Sequence, residues 1–134
     1  MSDYRYDDKT TVMFIVSAVF WGVIGIVIGL LISIQLWMPS LNFPPYFTFG
    51  RLRTFHTNVL GFGLGIGAIF GISYYIVMRL TRRSLVFPRL ARWQLYIFNI
   101  AILLAGISLL AGMNQSLEYA EFEWPLDIGV VILW

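Results

Sequence analysis

Residues 12–38 read VMFIVSAVFWGVIGIVIGLLISIQLWM, and no charge interrupts them. Only Ser17, Ser33 and Gln35 are clearly polar. A bilayer core needs about 20 apolar residues in helical form, and this run exceeds that. It is too long for the apolar part of a signal peptide, and no small-residue cleavage site follows it. The run therefore predicts a retained membrane span, closed by Pro39 and the Pro44-Pro45 pair.

The rest of the chain has the same character. Of 134 residues, 59% are hydrophobic and 12% charged. A soluble domain of this length has too little interior to hide that much apolar surface. The pattern predicts further spans at about 56–78 and 93–113 and the start of another from Pro125. The whole of 1–134 then forms one all-α integral membrane region. Seven residues after Asp127 are too few to cross a bilayer, so the chain is expected to be part of a longer subunit or one piece of a split one. No cysteine is present, which excludes disulfides and thiolate-held metal sites. The small net charge of +2, with its basic residues at span boundaries, offers no nucleic-acid surface.

Arginines predict the orientation. Arg79, Arg82, Arg83, Arg89 and Arg92 lie between the second and third spans. The positive-inside rule puts the 79–92 loop and the N-terminus in the cytoplasm. Residues 39–53 and 114–127 then face outward, where Arg51 and Arg53 go against the rule. Two outward arginines invite an anionic ligand, or lipid headgroups. Glycines at 25/29, 61/65, 63/67 and 67/71 have the spacing that permits close helix contact.

His56 is the only histidine, and it is expected at the mouth of the second span. An ionisable residue there needs a partner. In a straight helix of 3.6 residues per turn, Arg53, His56, Leu60, Gly63 and Gly67 share one face. That face suits a flat macrocycle. His56 offers a nitrogen to haem iron, Gly63 and Gly67 leave room for the porphyrin, and Arg53, with Arg51, matches propionates. The same pattern suits a histidine bonded to a neighbouring helix or to interfacial water, with glycines that serve only packing.

The acidic segment Glu118-Tyr119-Ala120-Glu121-Phe122-Glu123-Trp124-Pro125-Leu126-Asp127 also has two readings. Glu123 and Asp127 flank a proline suited to a first helical position and complement a helix dipole. Glu118 and Glu121 are hard oxygen donors at a spacing that suits calcium.

Phe49-Gly50-Arg51-Leu52-Arg53-x-x-His56-Thr57-Asn58 resembles the second helix of the catalytic subunit of cbb3-type cytochrome c oxidases, in the haem–copper oxidase superfamily. The acidic segment resembles the stretch before that subunit's fourth helix. Asn42-Phe43 and Tyr74-Tyr75 fit as well, so the resemblance covers essentially the whole chain. It implies the N-terminal part of a haem–copper oxidase bundle in a bacterial inner membrane. It implies that His56 is one axial ligand of the low-spin haem b, that Arg53 and more weakly Arg51 lie near its propionates, and that Glu118, with Glu121 as a second, holds calcium. The remainder of the catalytic subunit would bind the high-spin haem and copper, and membrane-anchored c-type cytochrome subunits would be partners. The implied activity is reduction of dioxygen to water with electrons from cytochrome c, coupled to proton pumping. The family often has proline where Thr54 stands. A nitric-oxide-reductase-like subunit is the nearest alternative, and a non-haem transporter or assembly protein the more distant one.

Overall fold

The computed structural model describes residues 6–113. They form three rods in an up-down-up arrangement, each long and apolar enough to cross a membrane. The described residues adopt the expected all-helical architecture. The apolar run from Pro125 lies outside the described residues.

Helix α1 spans Asp8–Trp37. Asp7 caps it: its carboxylate accepts from the Thr10 amide at 3.4 Å and from the Thr10 hydroxyl at 2.7 Å. The cap satisfies one of the open donors of the first turn, and Asp8 complements the dipole. Pro39, without an amide hydrogen, stops the helix and opens a short 3-10 turn, Pro39–Leu41. Gln35 is buried and donates to the carbonyls of Leu41 and Phe47 at 3.0 and 2.9 Å. Asn42 accepts from the Phe49 amide at 2.7 Å. These two side chains tie the connecting loop to the ends of both helices.

The second rod runs from Phe49 to Thr81. It comprises α2 (Phe49–Asn58), a π-helical stretch (Val59–Ile66) and α3 (Gly67–Thr81). It begins at Phe49, where the sequence pattern predicts a start at His56. His56 therefore stands two turns inside the helix, not at its mouth. Arg82, in the left-handed conformation at φ 52°, ends the rod. Helix α4 spans Pro88–Ala111, with proline in its first turn and Gly112 at φ 92° beyond its end, a position that favours glycine.

Helix α1 and the second rod run antiparallel and interlock through glycines of both. His56, Leu60 and Leu64 reach toward Gly29, Gly25 and Gly22 of α1. In return, Trp21, Ala18 and Ile15 of α1 stand over Gly63, Gly67 and Gly71. Lipid tails are as apolar as leucine, so such close packing and interhelical hydrogen bonds must hold the rods together. Trp21, Val59, Phe98 and Ile102 form the buried centre where all three rods meet.

Asn99 ties α4 to α1. Its Oδ1 accepts from the Ser17 hydroxyl at 2.8 Å and from the Trp21 indole at 2.7 Å, while its amide donates to the Leu95 carbonyl at 2.8 Å. Replacing Asn99 with leucine strands both donors. The expected cost is about 0.6–2 kcal/mol, read as a lower thermal midpoint of the assembled protein in detergent. An unchanged midpoint would mean that the two donors find other acceptors.

At the opposite end from the Gln35 loop, Arg79 pairs with Asp8 at 2.9 Å and lies over the rings of Tyr6 and Tyr75. The start of α1 and the end of α3 therefore share one end of the bundle, together with the arginine-rich 82–92 segment.

Candidate functional site

His56 is half-buried between α2 and α1. Its Nδ1 lies 2.7 Å from the carbonyl oxygen of Gly25. A carbonyl only accepts, so Nδ1 carries a hydrogen, and in the neutral ring the lone pair is then on Nε2. The ring packs directly on Gly29, where any added side chain would meet it.

Arg53 precedes His56 by one turn and is exposed. With a spacing of three residues, the two are neighbours on one helix face. Arg51 points elsewhere. Its guanidinium donates to the Leu110 carbonyl at 2.8 Å and stands 5.9 Å from the Tyr46 ring centre. It closes the last turn of α4, where open carbonyls and the helix dipole favour a cation.

Gly63 and Gly67 lie with His56 and Leu60 on the face of the second rod that packs against α1. Gly63 is covered by Trp21, and Gly67 by Ala18 and Phe98. The π-helical stretch winds more residues into each turn, yet His56, Leu60, Gly63 and Gly67 all still face α1. Both glycines are covered by side chains of neighbouring helices here, so the room expected for a porphyrin is taken up by helix packing. Glu118 and Glu121 lie outside the described residues. Among the described residues, no group of three or more histidine, cysteine or acidic side chains gathers to hold a metal ion.

Sequence reasoning missed Gly25 and Gly29 as neighbours of His56. The structure sets Gly22, Gly25 and Gly29 against Leu64, Leu60 and His56, a register that glycine spacing alone does not fix.

The arrangement offers one nitrogen ligand, oriented from behind by a backbone carbonyl, with a cation one turn away. A histidine nitrogen held in this way is suited to a metal ion. Metal-bound histidines commonly donate their second ring nitrogen to such a carbonyl, so these residues fit the group that the sequence implies.

A family model described as cytochrome c and quinol oxidase polypeptide I matches residues 9–134. The chain is 44% identical over 130 residues to the cbb3-type cytochrome c oxidase subunit CcoN1 of Stutzerimonas stutzeri, covering 96% of this chain and 27% of that protein. It is 37% identical over 130 residues to a cytochrome c oxidase subunit 1 homolog of Agrobacterium tumefaciens, with 97% and 24% covered. A bacteroid homolog from Bradyrhizobium diazoefficiens is 42% identical over 119 residues, with 87% and 22% covered. The chain spans about a quarter of the length of these relatives.

Proposed function

We propose, because this chain belongs to the cytochrome c and quinol oxidase polypeptide I family and to its cbb3-type branch, that it supplies one axial ligand of the low-spin haem b in a terminal respiratory oxidase. The observation that carries this reading is the 2.7 Å contact of His56 Nδ1 with the Gly25 carbonyl. It fixes the tautomer whose free lone pair, on Nε2, ligates iron.

Each residue has a defined task in this reading. His56 holds the iron from one side and performs no acid–base step. Arg53 pairs with haem propionates, supported by its place one turn from His56 on the same face. Arg51 contributes chiefly by holding the end of α4 against the start of α2. Gly63 and Gly67 act at one remove, by letting α1 approach closely enough for Gly25 and Gly29 to reach the histidine. A haem bound there supplies a one-electron redox site. Glu118 and Glu121 are proposed as oxygen ligands for calcium near those propionates, a role supported by the resemblance of their segment.

With a single histidine, the second axial ligand, the high-spin haem and the copper are proposed to lie on the remainder of the subunit. The complete complex would take electrons from cytochrome c through membrane-anchored c-type cytochrome subunits, reduce dioxygen to water and pump protons. The proposed setting is a bacterial inner membrane, with the Arg79–Arg92 end in the cytoplasm. The Asp8–Arg79 pair supports placing the N-terminus on that same side.

The assembled complex containing the full-length subunit tests the activity. Oxygen consumption with reduced cytochrome c, abolished by cyanide, is the expected result. A complex that carries low-spin haem yet reduces nitric oxide and not dioxygen would contradict it.

A further inference from the structure

We propose that Gly29 and the Gly25 carbonyl are the positioning elements of His56: Gly29 seats the ring, and the carbonyl sets the electron density on the nitrogen that faces away. This rests on the reading of His56 as a haem ligand.

The geometry singles out Gly29 among the glycines of α1. A methyl group there would stand 2.6 Å from His56 Cε1 and 3.0 Å from Nδ1. Cε1 joins the two ring nitrogens, so a push at that atom moves both. The ring also cannot swing aside freely, because its Nδ1 edge is bonded to the Gly25 carbonyl. The other glycines meet yielding partners. A methyl at Gly22 would meet the tip of Leu64 at 3.1 Å, and one at Gly25 would meet Leu60 Cδ2 at 2.5 Å. Leucine ends rotate away at small cost, whereas an anchored imidazole must break its hydrogen bond.

The consequence for the bound group follows from the hydrogen bond. A carbonyl that accepts from Nδ1–H makes Nε2 a stronger donor. A stronger axial donor favours ferric over ferrous iron and lowers the reduction potential. Loss of the bond therefore raises the potential. Because the acceptor is backbone, no side-chain substitution removes it directly. Gly29 is the position from which it can be disturbed.

The test uses the assembled oxidase with the full-length subunit. Gly29→Ala is expected to retain haem, measured as the pyridine haemochrome, while the low-spin haem titrates at a higher potential and its ferric paramagnetic resonance signal shifts. Gly22→Ala, on the same helix, is expected to match the wild type in both. A purely structural glycine would lower the yield without moving the potential. An unmoved potential and signal in Gly29→Ala, alongside loss of the low-spin haem in His56→Ala, would overturn the positioning role and leave the ligand reading standing. Retention of that haem in His56→Ala overturns both. Should Gly29→Ala not assemble, the wild-type enzyme decides. Electron–nuclear double resonance of the ferric low-spin haem should show an exchangeable proton on the remote nitrogen of its axial imidazoles, and an axial imidazole lacking that proton overturns the inference.

Discussion

Replacing His56 with alanine is expected to remove the low-spin haem b band from the reduced-minus-oxidised spectrum of the assembled complex, and oxygen consumption with it. The substitution is mild for the fold. Alanine is the best helix former, the bonds that hold the ends of α2 do not involve the side chain of residue 56, and the lost ring leaves only a gap over Gly29. What disappears is the proposed iron ligand and the hydrogen bond behind it. Substitutions behind a metal ligand typically cost 10–100-fold in affinity or activity, and removing the ligand itself goes further. The variant is therefore expected to fold and to lack one spectral component. Haem c signals from the proposed c-type cytochrome subunits serve as the internal measure of assembly. A low-spin haem b band of normal size in His56→Ala would show that another residue ligates the iron.

The second large effect concerns the helix pair that carries the site. Gly63→Val is expected to prevent accumulation of the assembled protein. A Cβ at Gly63 would stand 2.6 Å from the Cβ of Trp21 and 2.9 Å from its Cγ. These atoms sit at the root of the side chain, and the indole is anchored to Asn99 at 2.7 Å. The tryptophan cannot turn away, so α1 and the second rod must separate. Overpacking of this kind costs about 1–3 kcal/mol, and the separation would also pull Gly25 and Gly29 off His56. Gly61 supplies the contrast. It lies in the same π-helical stretch with open space around its Cβ direction. Gly61→Ala is expected to leave yield and thermal midpoint within about 0.5 kcal/mol of the wild type. Equal yields for the two variants would contradict the glycine interlock.

The membrane architecture could be read from charge-free runs, because bilayer thickness translates directly into helix length. The position of His56 within its helix could not. Arg51 and Arg53 suggest a boundary in the sequence, yet the helix continues through them. Its start is set by Asn42, which accepts from the Phe49 amide, and Arg51 is satisfied by the end of α4, fifty-nine residues away. Those are contacts between distant segments. The lone histidine and its arginine neighbour were recognisable from residue chemistry alone. What fills the face below them was not, since Trp21, Ala18 and Phe98 reach Gly63 and Gly67 from other helices. Glycine spacing announces close approach without naming the partner, so the pairing of Gly29 with His56 became visible only with α1 and α2 side by side. Asn99 illustrates the same limit. One amide in an apolar run gives no sign that it gathers Ser17 and Trp21 from another helix.

The central claim is that His56 Nε2 is an axial ligand, and chemical rescue tests it most directly. A His56→Gly variant of the full-length subunit, purified in its complex, is titrated with imidazole and followed by paramagnetic resonance of the ferric haem. The low-spin signal should be missing without imidazole and should return as imidazole fills the space over Gly29. A low-spin signal present before imidazole is added, or one that imidazole never restores in an otherwise assembled complex, would contradict the account.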